Sequence, residues 1–278
     1  MRRAHATVLS AMAALILAVA LFVSCGPIMA ADPVLLHAAG SLRGALTEVS
    51  NAFEAATGIA VRAKYGASGT LKDAISGGEK TEVFASANME HPQALAAAKR
   101  GGPVVLFARN RLCALARPAL EFDSASLLDR MLDASVKLGT STPKADPSGD
   151  YAFEVFRKAA ALKAGARAAL EKKALKLTGG PSSPQPPAGR SLYGMLVADG
   201  KADIFLAYCT AARDAQKENA GQQIVALPDA LTVGADYGLT VIADAPPAAY
   251  RFAMFILSVD GQRILASHGF TAPNLPNE

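Results

Sequence analysis

The sequence predicts an α/β fold, in which helices pack against an open sheet, and three observations support this class. Short apolar runs alternate with stretches of helical spacing along most of the 278 residues. Several apolar runs end in a turn of glycine and serine that leads directly into a helix. About 248 residues remain once the first 30 are set aside, which suits one large domain or two lobes with their own cores.

The first 30 residues have the layout of a secretory signal peptide. Arg2 and Arg3 precede a long apolar run, and small residues around Ala30 offer a cleavage site. We therefore expect residues 1–30 to be removed and the mature protein to act in the periplasm. Cys25 lies in a context that resembles a lipoprotein cleavage site, so lipid anchoring at this cysteine is the alternative. No later apolar run is long enough to cross a membrane.

Charge and composition argue against several classes of function. The formal net charge is +4, and no basic run indicates a nucleic-acid surface. His37, His91 and His268 lack ligand spacing with one another or with a cysteine, so we expect no metal site. Neither a P-loop nor a dinucleotide fingerprint is present, and we expect no cofactor. A nucleophile elbow is also missing, so we expect a protein that is not an enzyme.

The first half of the mature chain predicts strands and helices in regular alternation. The runs VLLHAA, IAVRAKYG and TEVFASA have the length and composition of buried strands, and each precedes a helical stretch. In the first of these helices, Leu46, Val49 and Phe53 recur on one face. The run VVLFARNRLCALA then predicts a longer strand, followed by a short helix over residues 127–132 and the strand SVKLGTS.

The second half predicts longer helical stretches before its strands. Helices are expected over DYAFEVFRKAAALKAG and over the basic, alanine-rich stretch that continues to Lys176. The prolines of residues 179–190 predict an exposed loop, and a short helix follows over residues 192–198. Strands are expected over ADIFLAYC, QQIVALP and YGLTVIAD, and a single final helix over AAYRFAMFILSVDGQRILASHG.

Four strand-to-helix turns offer hydrogen-bond donors to a ligand. They contain Gly40-Ser41, Gly66-Ala67-Ser68-Gly69, Pro147-Ser148-Gly149 and Arg190-Ser191. N–H groups are free at a helix start, and ligands of open α/β sheets bind outside the carboxyl ends of the strands. Together the four turns predict a cleft that binds an anion without a buried cation. For each serine alone the alternative is that it caps its own helix, which is the commoner role.

Taken in order, these segments resemble the periplasmic molybdate-binding proteins of ABC importers. AAGSLRGALTEVSNAFEAATG resembles that family's first strand, serine turn and helix, and YGASGTLKDAISGGEKTEVFASAN resembles its second serine turn. A weaker likeness continues through LGTSTPKADPSGDYA, VADGKADIFLAYCTAA and the terminal HGFTAP. The resemblance therefore spans nearly the whole mature chain.

This resemblance implies a type II periplasmic-binding-protein fold with two lobes, each a mixed sheet flanked by helices. Lobe 1 would contain residues 31–111 and 235–278, and lobe 2 residues 112–234. The ligand, molybdate or tungstate, would bind in the cleft between the lobes through hinge closure. The protein would act as a monomer and deliver its ligand to an ABC permease.

The resemblance also implies five ligand-binding positions. Side-chain hydroxyls fall on Ser41 and Ser68, and a backbone N–H falls on Ser148. The tyrosine that ends a strand falls on Tyr208. The fifth contact falls at or beside Arg190, which departs from the family pattern of a small apolar residue. Its guanidinium would add charge to a site of neutral donors, unless the side chain points to solvent.

The side chains of Asp146 and Arg190, and the existence of ferric-iron carriers with the same fold, leave ligands other than molybdate possible. A carboxylate of Asp146 facing the ligand would favour phosphate, which keeps a proton at neutral pH, although this residue could instead stabilise its turn. The charge of Arg190 could shift the preference to another oxyanion such as sulfate. A ferric-iron carrier would share the two-lobed fold, but the tyrosines here form no recognisable cluster with carboxylates or histidines.

The cysteines predict one covalent link within the mature chain. If Cys25 leaves with the signal peptide, Cys113 and Cys209 remain. An even pair in an oxidising compartment is typical of a disulfide bond, and the alternative is two separately buried free thiols.

Overall fold

A computed structural model describes residues 31–184, 186–187, 190–273 and 275 of the chain. The predicted signal peptide, which includes Cys25, lies outside these residues. Among the described helices, none combines the length and the apolar composition that a membrane span needs.

Nine strands lie within the described ranges, and eight of them pair along one path. They are β1 (Val34–Ala39), β2 (Val61–Gly66), β3 (Val83–Ser86), β4 (Val105–Ala116), β5 (Leu138–Ser141), β6 (Leu175–Thr178), β7 (Ile204–Tyr208), β8 (Gln223–Ala226) and β9 (Gly234–Val241). Their order in the sheet is β2-β1-β3-β9-β4-β7-β5-β6, and β8 also pairs with β4. The fold is therefore mixed α/β, as the sequence predicts.

Ten α-helices surround these strands in the same ranges. They are α1 (Arg43–Thr57), α2 (Ser68–Ser76), α3 (Glu90–Ala97), α4 (Leu127–Leu132), α5 (Pro147–Leu162), α6 (Ala166–Lys173), α7 (Leu192–Ala198), α8 (Cys209–Glu218), α9 (Pro247–Leu257) and α10 (Val259–Ser267). Short 3₁₀ turns precede α1 at Gly40–Leu42 and β9 at Asp229–Leu231.

The first part of the sheet contains three parallel strands. β1 pairs in parallel with both β2 and β3, and β3 pairs antiparallel with β9. The carboxyl ends of β1, β2 and β3 therefore lie at the same edge of the sheet. Because a helix follows each of these strands in the chain, this edge collects three strand-to-helix turns.

The long strand β4 is shared by both parts of the sheet. Its residues 105–111 pair with β9, whereas residues 112–116 pair with β7 and β8. In the second part, β5 pairs in parallel with β6 and β7. From Pro33 onward the two parts pack as one compact unit.

Helix α1 buries the face that its spacing predicts. Leu46, Val49 and Phe53 are buried, and Phe53 packs edge-on against two rings of α9. Its ring centroid lies 5.1 Å from that of Phe252 and 5.6 Å from that of Phe255. The turn before α1 makes no side-chain cap, and the ring contacts of Phe53 hold the C-terminal half of the helix against α9.

The prediction of a single final helix is wrong, because two helices are present. α9 ends at Leu257 and α10 begins at Val259. Between them Ser258 adopts an extended conformation, and its hydroxyl accepts a hydrogen bond of 3.3 Å from the Gly261 N–H. A serine N-cap therefore interrupts a stretch whose apolar spacing continues through it.

The basic stretch to Lys176 is also not helical throughout. α6 ends at Lys173, and β6 begins two residues later at Leu175. β6 pairs in parallel with β5. The local pattern of the sequence does not indicate this pairing. A tertiary contact thus overrides the helical preference of these residues.

Candidate functional site

Ser41 lies in the turn after β1 and contacts a tyrosine rather than the backbone of its own helix. Its Oγ lies 3.0 Å from the hydroxyl of Tyr237, a fully buried residue of β9. Neither the 3₁₀ turn nor α1 has a side-chain cap. The role of helix cap therefore does not apply to Ser41.

Ser68 begins α2 after β2, and it is also not a cap. The residue is 1% exposed, and its Oγ accepts a hydrogen bond of 3.1 Å from the backbone N–H of Ala87, just beyond β3. The bond uses the oxygen of the hydroxyl, so the hydrogen of Ser68 stays available for donation.

The start of α2 also touches the loop before α5. The Gly69 N–H donates to the Ala145 carbonyl at 3.0 Å. A Cβ at Gly69 would lie within clashing distance of the carbonyl oxygens of Lys144 and Ala145. Only glycine therefore allows this approach between the turn after β2 and the turn before α5.

Ser148 brings a free hydroxyl to the start of α5. Its backbone N–H, the group that the sequence assigns to a ligand, donates to Asp146 Oδ1 at 3.0 Å, so Asp146 caps the helix. The Ser148 side chain is fully buried, and its Oγ has no hydrogen-bond partner among the described residues. The hydroxyl, rather than the N–H, is the unsatisfied donor here.

Tyr208 ends β7 and supplies a second unsatisfied hydroxyl. The residue is 2% exposed, and its hydroxyl finds no hydrogen-bond partner within the described part of the chain. Burial raises the pKa of the Tyr208 hydroxyl well above its usual value, and burial also raises the pKa of Tyr237. Both groups therefore stay neutral and keep their hydrogens.

Two further tyrosines complete the cluster, and sequence reasoning did not assign them to an anion site. The ring centroid of Tyr208 lies 5.6 Å from that of Tyr237 and 6.3 Å from that of Tyr151. The Tyr151 hydroxyl donates to the Ala87 carbonyl at 3.4 Å. The sequence shows only that these tyrosines exist, because their side-chain directions depend on strand register and helix placement.

We call the connected group of Ser41, Tyr237, Tyr208, Tyr151, Ala87, Ser68, Gly69, Ala145, Asp146 and Ser148 the hydroxyl cluster. Each member contacts the next through a hydrogen bond or ring packing, or follows it along the chain. Four of the five predicted ligand-binding residues therefore belong to one network. Its free donors are neutral hydroxyls, which suit an anion whose oxygens accept hydrogen bonds.

Arg190 makes its contacts elsewhere. Its guanidinium Nε lies 2.9 Å from Glu218 Oε2, with the arginine side chain 51% exposed. Its backbone N–H donates to the Pro187 carbonyl at 3.1 Å. The neighbouring Ser191 caps α7 by accepting from the Gly194 N–H. No contact among the described residues joins Arg190 to the hydroxyl cluster, and its assignment to the ligand stays a prediction.

Replacing Arg190 with alanine tests that assignment. Because the guanidinium pairs with Glu218 and no contact among the described residues joins it to the hydroxyl cluster, we expect ligand affinity to change less than about threefold. Calorimetric titration of the variant and the wild type measures this change. Glu218→Gln serves as the matched control, since it breaks the same pair and leaves Arg190 in place. A tenfold loss confined to Arg190→Ala would instead support a ligand contact.

The carboxyl group of Asp146 is buried, and its pKa is raised. Burial raises the pKa of Asp146 to about 6, against the lowering effect of its hydrogen bonds from the Ser148 N–H and from Ser141. The raised pKa means that the folded protein holds this proton more tightly than the unfolded chain does. The contribution of Asp146 to stability is therefore full below about pH 4 and is lost as the pH rises through about 6.

We expect Asp146→Asn to remove this pH dependence. The amide oxygen still caps α5 but carries no charge, so the variant should gain up to about 3 kcal/mol relative to the wild type between pH 4 and pH 7. Thermal unfolding of both proteins across this range measures the difference. Parallel stability curves would show that the carboxylate is not desolvated.

Cys113 and Cys209 form a disulfide bond directly next to Tyr208 of the hydroxyl cluster. Cys113 lies on β4, and Cys209 follows Tyr208 directly as the first residue of α8. Their Cα atoms are 4.9 Å apart. The bond predicted from the cysteine count is present, and it holds the chain next to Tyr208 against β4.

The surroundings of the cluster contain acidic side chains but no grouped metal ligands among the described residues. Within the described ranges, no three side chains of histidine, cysteine, aspartate or glutamate are grouped to hold a metal ion. A groove of about 270 Å³ beside Tyr151 is lined in part by the carboxylates of Glu90, Asp150 and Asp236. Asp236 is paired with Arg109 at 2.9 Å. The groove is therefore acidic, in contrast to the neutral donors of the hydroxyl cluster.

The sequence profile of the bacterial extracellular solute-binding proteins matches residues 34–271, from the start of β1 to beyond α10. The chain belongs to this family. This solute-binding protein is 32% identical over 239 residues to an uncharacterized protein of Pasteurella multocida (strain Pm70). The match covers 85% of this chain and 98% of the relative.

Solved structures share the fold of this solute-binding protein. The sulfate-binding protein SubI of Mycobacterium tuberculosis H37Rv superposes with a TM-score of 0.71 at 18% identity, covering 88% of each chain. The periplasmic molybdate-binding protein of Azotobacter vinelandii superposes with a TM-score of 0.69 at 18% identity, covering 88% of this chain and all of that one. These likenesses confirm the type II periplasmic-binding-protein fold and do not select one ligand.

Proposed function

We propose that this solute-binding protein captures a tetrahedral oxyanion, molybdate or tungstate, and delivers it to an ABC permease. The observation that carries the proposal is the pair of buried, unsatisfied hydroxyls on Ser148 and Tyr208. They belong to the same network as Ser41 and Ser68, which the family resemblance assigns to the ligand. An oxyanion would accept hydrogen bonds from all four groups.

Energetics favour a ligand at this place. A buried polar group without a partner costs about 1–3 kcal/mol, so two such hydroxyls are costly unless a ligand satisfies them. Neutral donors can hold a dianion without a buried cation, because several hydroxyl dipoles share the charge. The acidic groove beside Tyr151 would disfavour approach of an anion from that side.

The proposed division into two lobes would allow a mechanism of closure. In our proposal residues 31–111 and 235–278 form lobe 1, and residues 112–234 form lobe 2. The change of strand partners within β4 falls at residues 111 and 112, in agreement with this boundary. Ser41 and Ser68 would then belong to lobe 1, and Ser148 and Tyr208 to lobe 2. A ligand that bonds to both pairs stabilises the closed state by differential contacts.

Sulfate, phosphate and ferric iron are the competing ligands. Sulfate has the acceptor oxygens of molybdate in a smaller ion, whereas phosphate keeps a proton that needs an acceptor. Ferric iron prefers anionic oxygen ligands, and the raised pKa values of Tyr208 and Tyr237 oppose the tyrosinate form.

The deciding experiment is calorimetric titration of the ligand-stripped mature protein with molybdate, tungstate, sulfate, phosphate and ferric citrate in parallel. We expect tight binding of molybdate and tungstate and weak or no binding of phosphate and iron. Tight binding of sulfate alone would keep the site and change the ligand. The absence of binding for all four oxyanions would overturn the proposal.

The family and the composition of the N-terminal segment support export of the chain. We propose that residues 1–30 direct the chain to the periplasm, with lipid attachment at Cys25 as the alternative. The intact mass of the protein from a membrane fraction and from a soluble periplasmic fraction distinguishes the two processed forms.

A further inference from the structure

The amide of Asn110 on β4 has a fixed orientation beside the hydroxyl cluster. Its Oδ1 accepts a hydrogen bond of 2.9 Å from the Arg111 N–H, which can act only as a donor. The other end of the amide must therefore be the NH₂ group, which has only donors. This Nδ2 lies 2.8 Å from Thr210 Oγ1 and 3.4 Å from the Tyr237 hydroxyl oxygen.

The direction of the Asn110 amide fixes the direction of the next hydrogen bond. Tyr237 is fully buried and accepts from Asn110, so its single hydrogen points away from the amide. Ser41 Oγ, 3.0 Å away, lies in position to accept that hydrogen. Ser41 then receives a hydrogen bond on its oxygen, and its own hydrogen is left to donate to another group.

The hydroxyl of Ser68 also has a free hydrogen, because a different group donates to its oxygen. The Ala87 N–H donates to its oxygen, which leaves the hydrogen of the Ser68 hydroxyl free. In both predicted serine ligands the hydroxyl hydrogen is therefore free to donate to a ligand. Asp146, the acceptor that the sequence suggested, uses Oδ1 to cap α5.

From this chain of hydrogen bonds we infer that Asn110 and Tyr237 are positioning residues that commit the Ser41 hydroxyl to donate to the bound anion. They would make the site prefer oxyanions whose oxygens are all acceptors over oxyanions that keep a proton. This inference rests on the proposed function and names the residues that set its selectivity. A protonated phosphate would bring its own hydrogen toward the Ser41 hydrogen that Tyr237 keeps directed at the ligand, and this unmatched pair of donors weakens binding.

Tyr237→Phe tests the inference because it removes one hydroxyl and keeps the ring that packs on Tyr208. Ser41 can then rotate and accept, so we expect the ratio of molybdate or sulfate affinity to phosphate affinity to fall about tenfold or more. Tyr250→Phe is the matched control, since that tyrosine lies on α9 with half of its surface exposed. Its ratio should equal that of the wild type.

A second variant covers the case in which Tyr237→Phe does not fold. Asn110→Ala leaves the Tyr237 hydroxyl in place but frees its direction, so the selectivity ratio should fall in the same sense. In the double variant the loss should be less than the sum of the two single losses, because both residues act through Ser41. Thermal unfolding of each variant shows whether it is folded before titration.

The outcomes separate this inference from the proposed function. If the wild type binds none of the oxyanions, the proposed function fails. If the wild type is selective and folded Tyr237→Phe and Asn110→Ala keep its affinity ratio, the positioning role is overturned. A uniform loss of affinity for every oxyanion, with the ratio unchanged, would likewise overturn it, because that result marks a merely structural tyrosine.

Discussion

Replacing Ser41 and Ser68 together with alanine should weaken oxyanion binding by at least about thirtyfold. In the proposed site each serine donates one hydrogen bond to a charged ligand, and such a bond contributes roughly 1–3 kcal/mol. The substitution removes two donors and leaves the backbone of both turns intact, since neither serine caps a helix. Calorimetric titration with molybdate or tungstate measures the loss directly.

Ser191→Ala provides the matched control for this double variant. Ser191 also precedes a helix, but its hydroxyl caps α7 through the Gly194 N–H at 3.3 Å and has no contact with the cluster among the described residues. Its removal should cost about 1 kcal/mol of stability and leave affinity unchanged. Wild-type affinity in the Ser41 and Ser68 double variant would contradict the site assignment.

Removing the disulfide should have the largest effect on stability. Cys113→Ser combined with Cys209→Ser deletes a cross-link between residues 96 apart in the sequence. Such a link commonly contributes about 2–4 kcal/mol, and the melting temperature should fall by roughly 5–15 °C. Thermal unfolding of the oxidised wild type and of the double variant gives the difference.

Two controls accompany the disulfide prediction. Intact-mass measurement after alkylation, with and without prior reduction, shows whether the two thiols are bonded in the wild type. Reduced wild type should unfold at the same temperature as the serine variant, since both lack the link. Equal melting temperatures for oxidised wild type and variant would mean that the bond does not constrain the chain.

The positions of most elements could be predicted from local pattern alone. Leu46, Val49 and Phe53 define the buried face of α1 because a helix repeats every 3.6 residues whatever it packs against. The short helices over residues 127–132 and 192–198 are confirmed at their predicted bounds. These features depend on neighbours in the sequence, so the sequence is sufficient to find them.

Element boundaries were less predictable where a distant contact or a cap competes with local spacing. β6 exists because β5 offers it hydrogen bonds, and no property of the alanine-rich stretch before it indicates this partner. Ser258 ends one helix and caps the next, although the apolar spacing runs past it. In both cases the deciding interaction is absent from the periodicity of the segment.

Some residues of the candidate site could likewise be found from the sequence, and others only from the structure. The turns that contain Ser41, Ser68 and Ser148 could be found from the sequence because their composition is recognisable, whereas the ligand roles of these serines and of Tyr208 are implied only by the family resemblance. Tyr237 could not be found in this way, since its contact with Asn110 arises from the antiparallel register of β4 and β9. That register sets Ala108 opposite Tyr237, which makes Asn110 its diagonal neighbour.

The sequence by itself determined the α/β class, the family and the turns that carry donor groups. Only the tertiary structure decided the direction of those donors, the role of Asp146 as a helix cap and the pairing of Arg190 with Glu218. The physical reason is that the chemical type of a hydroxyl is local, whereas the direction of its hydrogen depends on the group that it meets in the fold.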